Sequence, residues 1–176
     1  MKRERIFFGS LMVLAFCLAV TPVWAQMPDL SIWVGKWFQS TQKDNGVTFS
    51  GSTMGNFTDT GTYYFKVTEW DSSNKLFKGI SYPTDDYEPK EITLNVIAGN
   101  DLDFLCWGYF DTGEEGFSGI VWRIQGKMSG GGLKSATIKS LGGFFWRKSS
   151  ETYEAGQIVI SAKLIPESKV PPGIPR

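Results

Sequence analysis

The chain has 176 residues, with 18 basic and 18 acidic side chains and no basic cluster, so it offers no electrostatic footprint for nucleic acid. It contains no histidine, which removes the usual general base, the usual zinc ligand and every Ser-His or Cys-His nucleophile. Two carboxylates still suffice for glycoside hydrolysis, but no acid pair marks itself out, and we nominate no catalytic residue, metal ligand or cofactor.

In chain order the first feature is a basic start, Lys2, Arg3 and Arg5, followed by an apolar run from Ile6 to Val20, then Pro22 and Val23-Trp24-Ala25 before Gln26. This order predicts a secretory signal peptide over 1–25, cleaved after Ala25, and hence export to the periplasm or the cell exterior. The apolar run is shorter than the ~20 residues of a spanning helix, so no integral membrane segment is expected after cleavage. Lipidation at Cys17 would need a small residue before it, where Phe16 stands. Cys106 is then the only cysteine left, so packing rather than an internal disulfide must stabilise the fold. Its place in an apolar run predicts a buried, inert thiol, with an intermolecular disulfide as the alternative.

Strand signals follow one another with no helical pattern between them. Gly35–Ser40 is the first. In Thr60–Trp70, Tyr63, Phe65 and Val67 share one face; in Glu91–Ile97, Ile92, Leu94 and Val96 do; in Gly156–Ile165, Ile158, Ile160, Ala162 and Leu164 do. Lys75–Tyr82, Leu102–Phe110, Gly116–Lys127, Leu133–Leu141 and Phe144–Lys148 complete the set. Between them lie short turn-forming stretches such as Asp71-Ser72-Ser73-Asn74, Gly99-Asn100-Asp101 and Ser129-Gly130-Gly131-Gly132. Connections this short join antiparallel neighbours; parallel strands need long crossovers. The chain is therefore expected to be all-β, one domain over 26–165 forming an antiparallel up-and-down barrel of about eight strands, with a two-sheet sandwich as the alternative. The proline-rich tail, 166–176, is expected to be flexible.

Gly35-Lys36-Trp37, preceded by Ile32, Trp33 and Val34, resembles the opening of the calycin barrels, which include lipocalins, fatty-acid-binding proteins and avidins. The resemblance implies that Gly35 and Trp37 help to close one barrel end, with Lys163 or Arg147 packed across the tryptophan. Gly55-Asn56-Phe57-Thr58 followed by Gly61-Thr62-Tyr63 resembles the second hairpin of avidin-type barrels. There the matching tyrosine hydrogen-bonds biotin, which implies a ligand contact for Tyr63 and polar contacts from Gln39, Ser40 and Asn45. The likeness covers about the first third of the chain after the signal. It departs later: there is no counterpart to the tryptophan that caps the avidin site from a neighbouring subunit, and no helix follows the last strand as in lipocalins.

With 7 Trp, 13 Phe and 6 Tyr, aromatic side chains both fill a barrel core and can line a pocket. Tyr63, Phe65, Trp107 and Trp122 are the candidates for an aromatic-lined cavity that takes a small apolar or aromatic ligand. The rival function is a solid barrel that acts as an interaction or structural protein; a carboxylate-based hydrolase is the third reading. The acidic groups Asp85, Asp86 and Glu88, and Asp111, Glu114 and Glu115, read as solvated turns, since calcium-loop spacing is missing. Leu102–Phe110 is apolar on both faces, with Leu105, Trp107 and Tyr109 opposite Leu102, Phe104 and Cys106. Ile120, Trp122 and Ile124 are expected to extend the outer row, which predicts a homodimer through this face.

Overall fold

A computed structural model describes residues 28–84, 88–111, 115–149 and 151–175. The signal-peptide reading, Asp85, Asp86, Tyr87 and Glu114 lie outside them. Eight antiparallel strands run β1 (Trp37–Ser50), β2 (Thr53–Asp71), β3 (Leu76–Pro83), β4 (Lys90–Asn100), β5 (Asp103–Asp111), β6 (Glu115–Ser129), β7 (Gly132–Ser149) and β8 (Thr152–Ile165). Each pairs with its sequence neighbour, and β1 pairs with β8, so the sheet closes into an up-and-down barrel. This is the all-β barrel expected; the sandwich alternative falls because one sheet closes on itself.

Nine expected strands become eight because Leu133–Leu141 and Phe144–Lys148 are one strand. Gly142 and Gly143 sit inside β7, where the register against β8 shifts between Lys139 and Phe144. Such irregularities increase twist and let a sheet curl shut. A second difference is length. β1 continues past Ser40 to Ser50, and β2 starts at Thr53 rather than Thr60, so the two form one long hairpin.

Alternation sorts the side chains. Phe65, Val67, Phe77, Leu94, Val96, Phe104, Cys106, Ile120, Trp122, Ile124, Ile138, Ile158 and Ala162 all point inward and are buried. Lys43, Lys139, Lys163 and the Arg123–Asp103 and Lys78–Glu69 pairs occupy the outer face. Among the described residues, no helix is long and apolar enough to cross a membrane.

One barrel end is plugged by a 3-10 helix, Leu30–Trp33, which precedes β1. Trp33 and Leu30 are wholly buried. The Trp33 ring stacks on Phe38 and meets Phe104 edge-on, and its indole Nε1 donates to the Asp101 carbonyl at 2.7 Å. Gly126 makes room for it: a Cβ there would lie 3.0 Å from the Trp33 ring. Cys106 is buried in the same core, where burial pushes its thiol pKa up, away from the reactive thiolate.

Trp37 does not close this end. Residues paired across β1 and β2 share a face, and Trp37 pairs with Lys66 while Phe38 pairs with Phe65. Because Phe65 and Val67 point inward, Phe38 must as well, and Trp37 points outward. Gly35, with φ +79, turns the chain from the helix into β1 and donates to the Val67 carbonyl, which fixes that register. Trp37 is nonetheless 2 % exposed, because the tail lies over it: Val170 and Ile174 pack with Trp37, Tyr82 and Ile165 in a second small core on the outer face. The tail is thus a docked cover, held in tight turns by Val170 N donating to Glu167 O and Ile174 N to Pro171 O, and not the flexible segment expected. The cation beside Trp37 is Lys66, 5.2 Å from its ring. Lys163 lies exposed on the outer face, and Arg147 lies at the opposite end of the barrel.

Candidate functional site

Above the Trp33 plug the barrel is hollow. A cavity of about 590 Å³ opens at the end where β1 and β3 finish and β2 and β4 begin. That volume lies in the range of small-molecule pockets. Its apolar lining comes from Phe65, Ile120, Trp122, Ile138 and Ile158. Its polar lining comes largely from β1, which turns Ser40, Gln42 and Asp44 inward, beside Tyr63 from β2 and Arg147 from β7.

The charged part of that wall is ordered. Gln42 Nε2 donates to Asp44 Oδ1 at 3.0 Å, and Arg147 Nη1 lies 4.0 Å from Asp44 Oδ2. Arg147 Nε donates to Glu154 Oε2, and Thr48 donates to Glu154 Oε1 at 3.3 Å. The guanidinium rests against the rings of Phe57 and Phe145, at 5.7 and 5.2 Å. Asp44 is 6 % exposed. Burial raises its carboxyl pKa above the ordinary value; the Gln42 bond and Arg147 oppose this, while Asp59 and Glu154 add to it.

Of the candidate ligand residues, Tyr63, Phe65, Trp122 and Ser40 come together in the cavity wall. Gln39, Asn45 and Trp107 do not: they stand one residue out of phase, on the outer face. Gln39 Nε2 donates to Tyr64 Oη at 3.5 Å, Asn45 Oδ1 accepts from Thr58, and Trp107 is 45 % exposed. Arg147, expected to pack across a tryptophan, is a cavity residue instead. Ile120, Trp122 and Ile124 face inward and do not extend the outer row of β5. The outer patch is built by others: Phe117 stacks on Tyr109 and meets Phe144 and Trp146.

The wall residues Gln42 and Asp44 escape a reading of apolar alternation, since both are polar. Their signal is parity: they lie two and four residues beyond Ser40 on the face that carries Phe38. Arg147 follows Phe145 at the same spacing. No protein-family model, curated protein or solved structure matches the chain.

Proposed function

We propose that this chain is an exported binding module, a calycin-like barrel that holds a small, largely apolar or aromatic molecule in its cavity. The observation that carries the reading is the half-hollow interior: a sealed floor, an apolar lining that includes Phe65, Trp122 and Ile138, and a few polar groups among them that would fix orientation. A solid barrel would have packed side chains along its whole length, and the mouth half has none to fill this space. The export and calycin parts rest on the N-terminal sequence and on Gly35-Lys36-Trp37 and Gly61-Thr62-Tyr63; an eight-stranded up-and-down barrel with one open end suits them.

Native mass spectrometry of gently purified protein tests the reading, because a retained ligand appears as added mass. In parallel, biotin and an N-phenylnaphthylamine probe are titrated against tryptophan emission, which Trp122 in the cavity wall should report as saturable quenching. Tyr63→Phe should weaken a ligand that needs a hydrogen bond there. Unliganded mass together with no saturable change across the panel would defeat the proposal.

A second reading, self-association, is favoured by the exposed aromatics of the outer patch. Tyr109 is 60 % exposed beside Phe117, Phe144 and Trp107, and soluble monomers rarely leave a large apolar patch in water. A two-fold homodimer through this face would cover it.

A further inference from the structure

We propose that the ligand of the cavity is a small organic cation, an amine or ammonium on an apolar or aromatic body, whose charged head sits against Asp44. This rests on the binding-module reading and adds the charge of the ligand. The argument starts from the charge balance of the inner wall. Arg147, a half-exposed cation of the lining, is already engaged: its Nε donates to Glu154, whose other oxygen accepts from Thr48. Asp44 is a second carboxylate facing that guanidinium, 4.0 Å away and beyond hydrogen-bond distance, and it accepts from Gln42 Nε2. Asp59 pairs with Asp44 across β1 and β2 and so lies on the same side of the sheet. At the rim Lys90 and Glu91 offset each other. Among the charged residues of the cavity lining Asp44 and Glu91 balance Lys90 and Arg147; Glu154 and the exposed Asp59, on the same inner face at the mouth, tip that balance to negative, and at Asp44, 6 % exposed, the charge is screened less than at the surface.

Two further observations select the kind of cation. Among the described residues, no three His, Cys, Asp or Glu side chains converge as a metal ion requires, and the space beside Asp44 is about 590 Å³, room for a bulky monovalent head. The wall also has aromatic faces, and Phe57 and Phe145 already carry the flat cation of Arg147. A carboxylate or phosphate ligand would meet Asp44 and find Arg147 compensated. Like-charge juxtaposition of that kind costs affinity. The apolar body of a cationic ligand would then lie on Phe65, Trp122 and Ile138 toward the plug.

Three probes of one shape and different charge test this: 2-phenylethylammonium, 2-phenylethanol and 3-phenylpropanoate, titrated by calorimetry and tryptophan emission. The ammonium should bind roughly tenfold or more tighter than the alcohol, as for a hydrogen bond to a charged partner, and the propanoate should bind weakest. Asp44→Asn, checked for folding by circular dichroism, should shrink the ammonium's advantage to about twofold. Asp59→Asn, at an exposed position, should reduce it by less and covers the case in which the first variant does not fold. Equal binding of all three, or a tighter propanoate, overturns the charge assignment and leaves a binding cavity. An ammonium advantage that survives Asp44→Asn overturns the role of that carboxylate. Failure of all three to bind saturably overturns the cavity reading as well.

Discussion

The two ends of this barrel are made from the same eight strands and do opposite things. At the plugged end Trp33, Phe38, Phe77 and Phe104 interlock, with rings 5.5–6.2 Å apart, and the Trp33 indole N–H is satisfied by the Asp101 main-chain carbonyl. At the mouth the inward positions carry Ser40, Gln42, Asp44 and Arg147 around open space. Packed aromatics contribute stability in proportion to the water they exclude. A buried carboxylate costs stability unless it is fully paired. One end therefore supplies the free energy that the other end spends on being hollow.

The largest expected effect comes from removing the plug. Trp33→Ala should cost about 3–5 kcal/mol in urea unfolding, as large aromatic truncations in cores do. A loss below about 1 kcal/mol would mean that the two ends are not so different after all. Next comes the outer cover. Deleting 166–176 uncovers Trp37 and removes buried Val170 and Ile174; it should cost about 2–4 kcal/mol and shift tryptophan emission to longer wavelength. Trp37→Ala should then cost less in the shortened chain than in the full one, since the two changes act on one cluster.

Smaller in stability, but plain in solution behaviour, is the outer patch. Leu105→Lys with Tyr109→Lys should leave folding within about 1 kcal/mol of the parent and convert a dimer to a monomer in sedimentation. A parent that sediments as a monomer at high concentration would count against self-association through this face.

The mildest effect tests the cost of the mouth. A carboxyl whose folded pKa is raised binds its proton more tightly in the folded than in the unfolded chain. Its unfavourable contribution is therefore absent at low pH and grows as pH rises from the ordinary carboxylate range through the raised value. Asp44→Asn should be more stable than the parent at neutral pH, and the gap should close on acidification. Asp29, Asp71 and Asp103 pull the other way, since hydrogen bonds at Ser31, Asn74 and Arg123 lower their pKa values. Their stabilisation is lost as pH falls, in parent and variant alike, so the difference between the two urea curves isolates Asp44. A gap that widens toward acid would contradict the assignment.

Much of the apolar inner face was legible in the sequence, because apolar residues at every second position announce it: Tyr63, Phe65 and Val67 in β2, and Ile92, Leu94 and Val96 in β4. The same alternation, carried across the β1–β2 pair, would have placed Trp37 outside and Phe38 inside; the tripeptide Gly35-Lys36-Trp37 pointed the other way. The mouth was harder. A strand whose inward residues are Ser40, Gln42 and Asp44 has no hydrophobic signature, so the apolar pattern of β1 ends where its polar face begins. Gly142-Gly143 hid the continuity of β7 for a related reason, since glycine pairs usually mark turns. The prolines of the tail exclude helix and central strand but do not prevent Val170 and Ile174 from docking.

The seam between β1 and β8 has a consequence in time. Trp37 pairs with Ile165, and Ser50 with Thr152, so the ladder that shuts the cylinder joins the two ends of the folded segment. A chain emerging from the ribosome can build hairpins one after another, but it cannot bolt the first strand to the last until nearly everything has been synthesised. Pairings so distant along the chain make folding slow. Until that last zipper closes, both margins of an eight-stranded ribbon stand open to other chains, the state most prone to sticking. Refolding kinetics should show hairpin formation well ahead of closure, and a chain shortened into β8 should aggregate rather than form a smaller barrel.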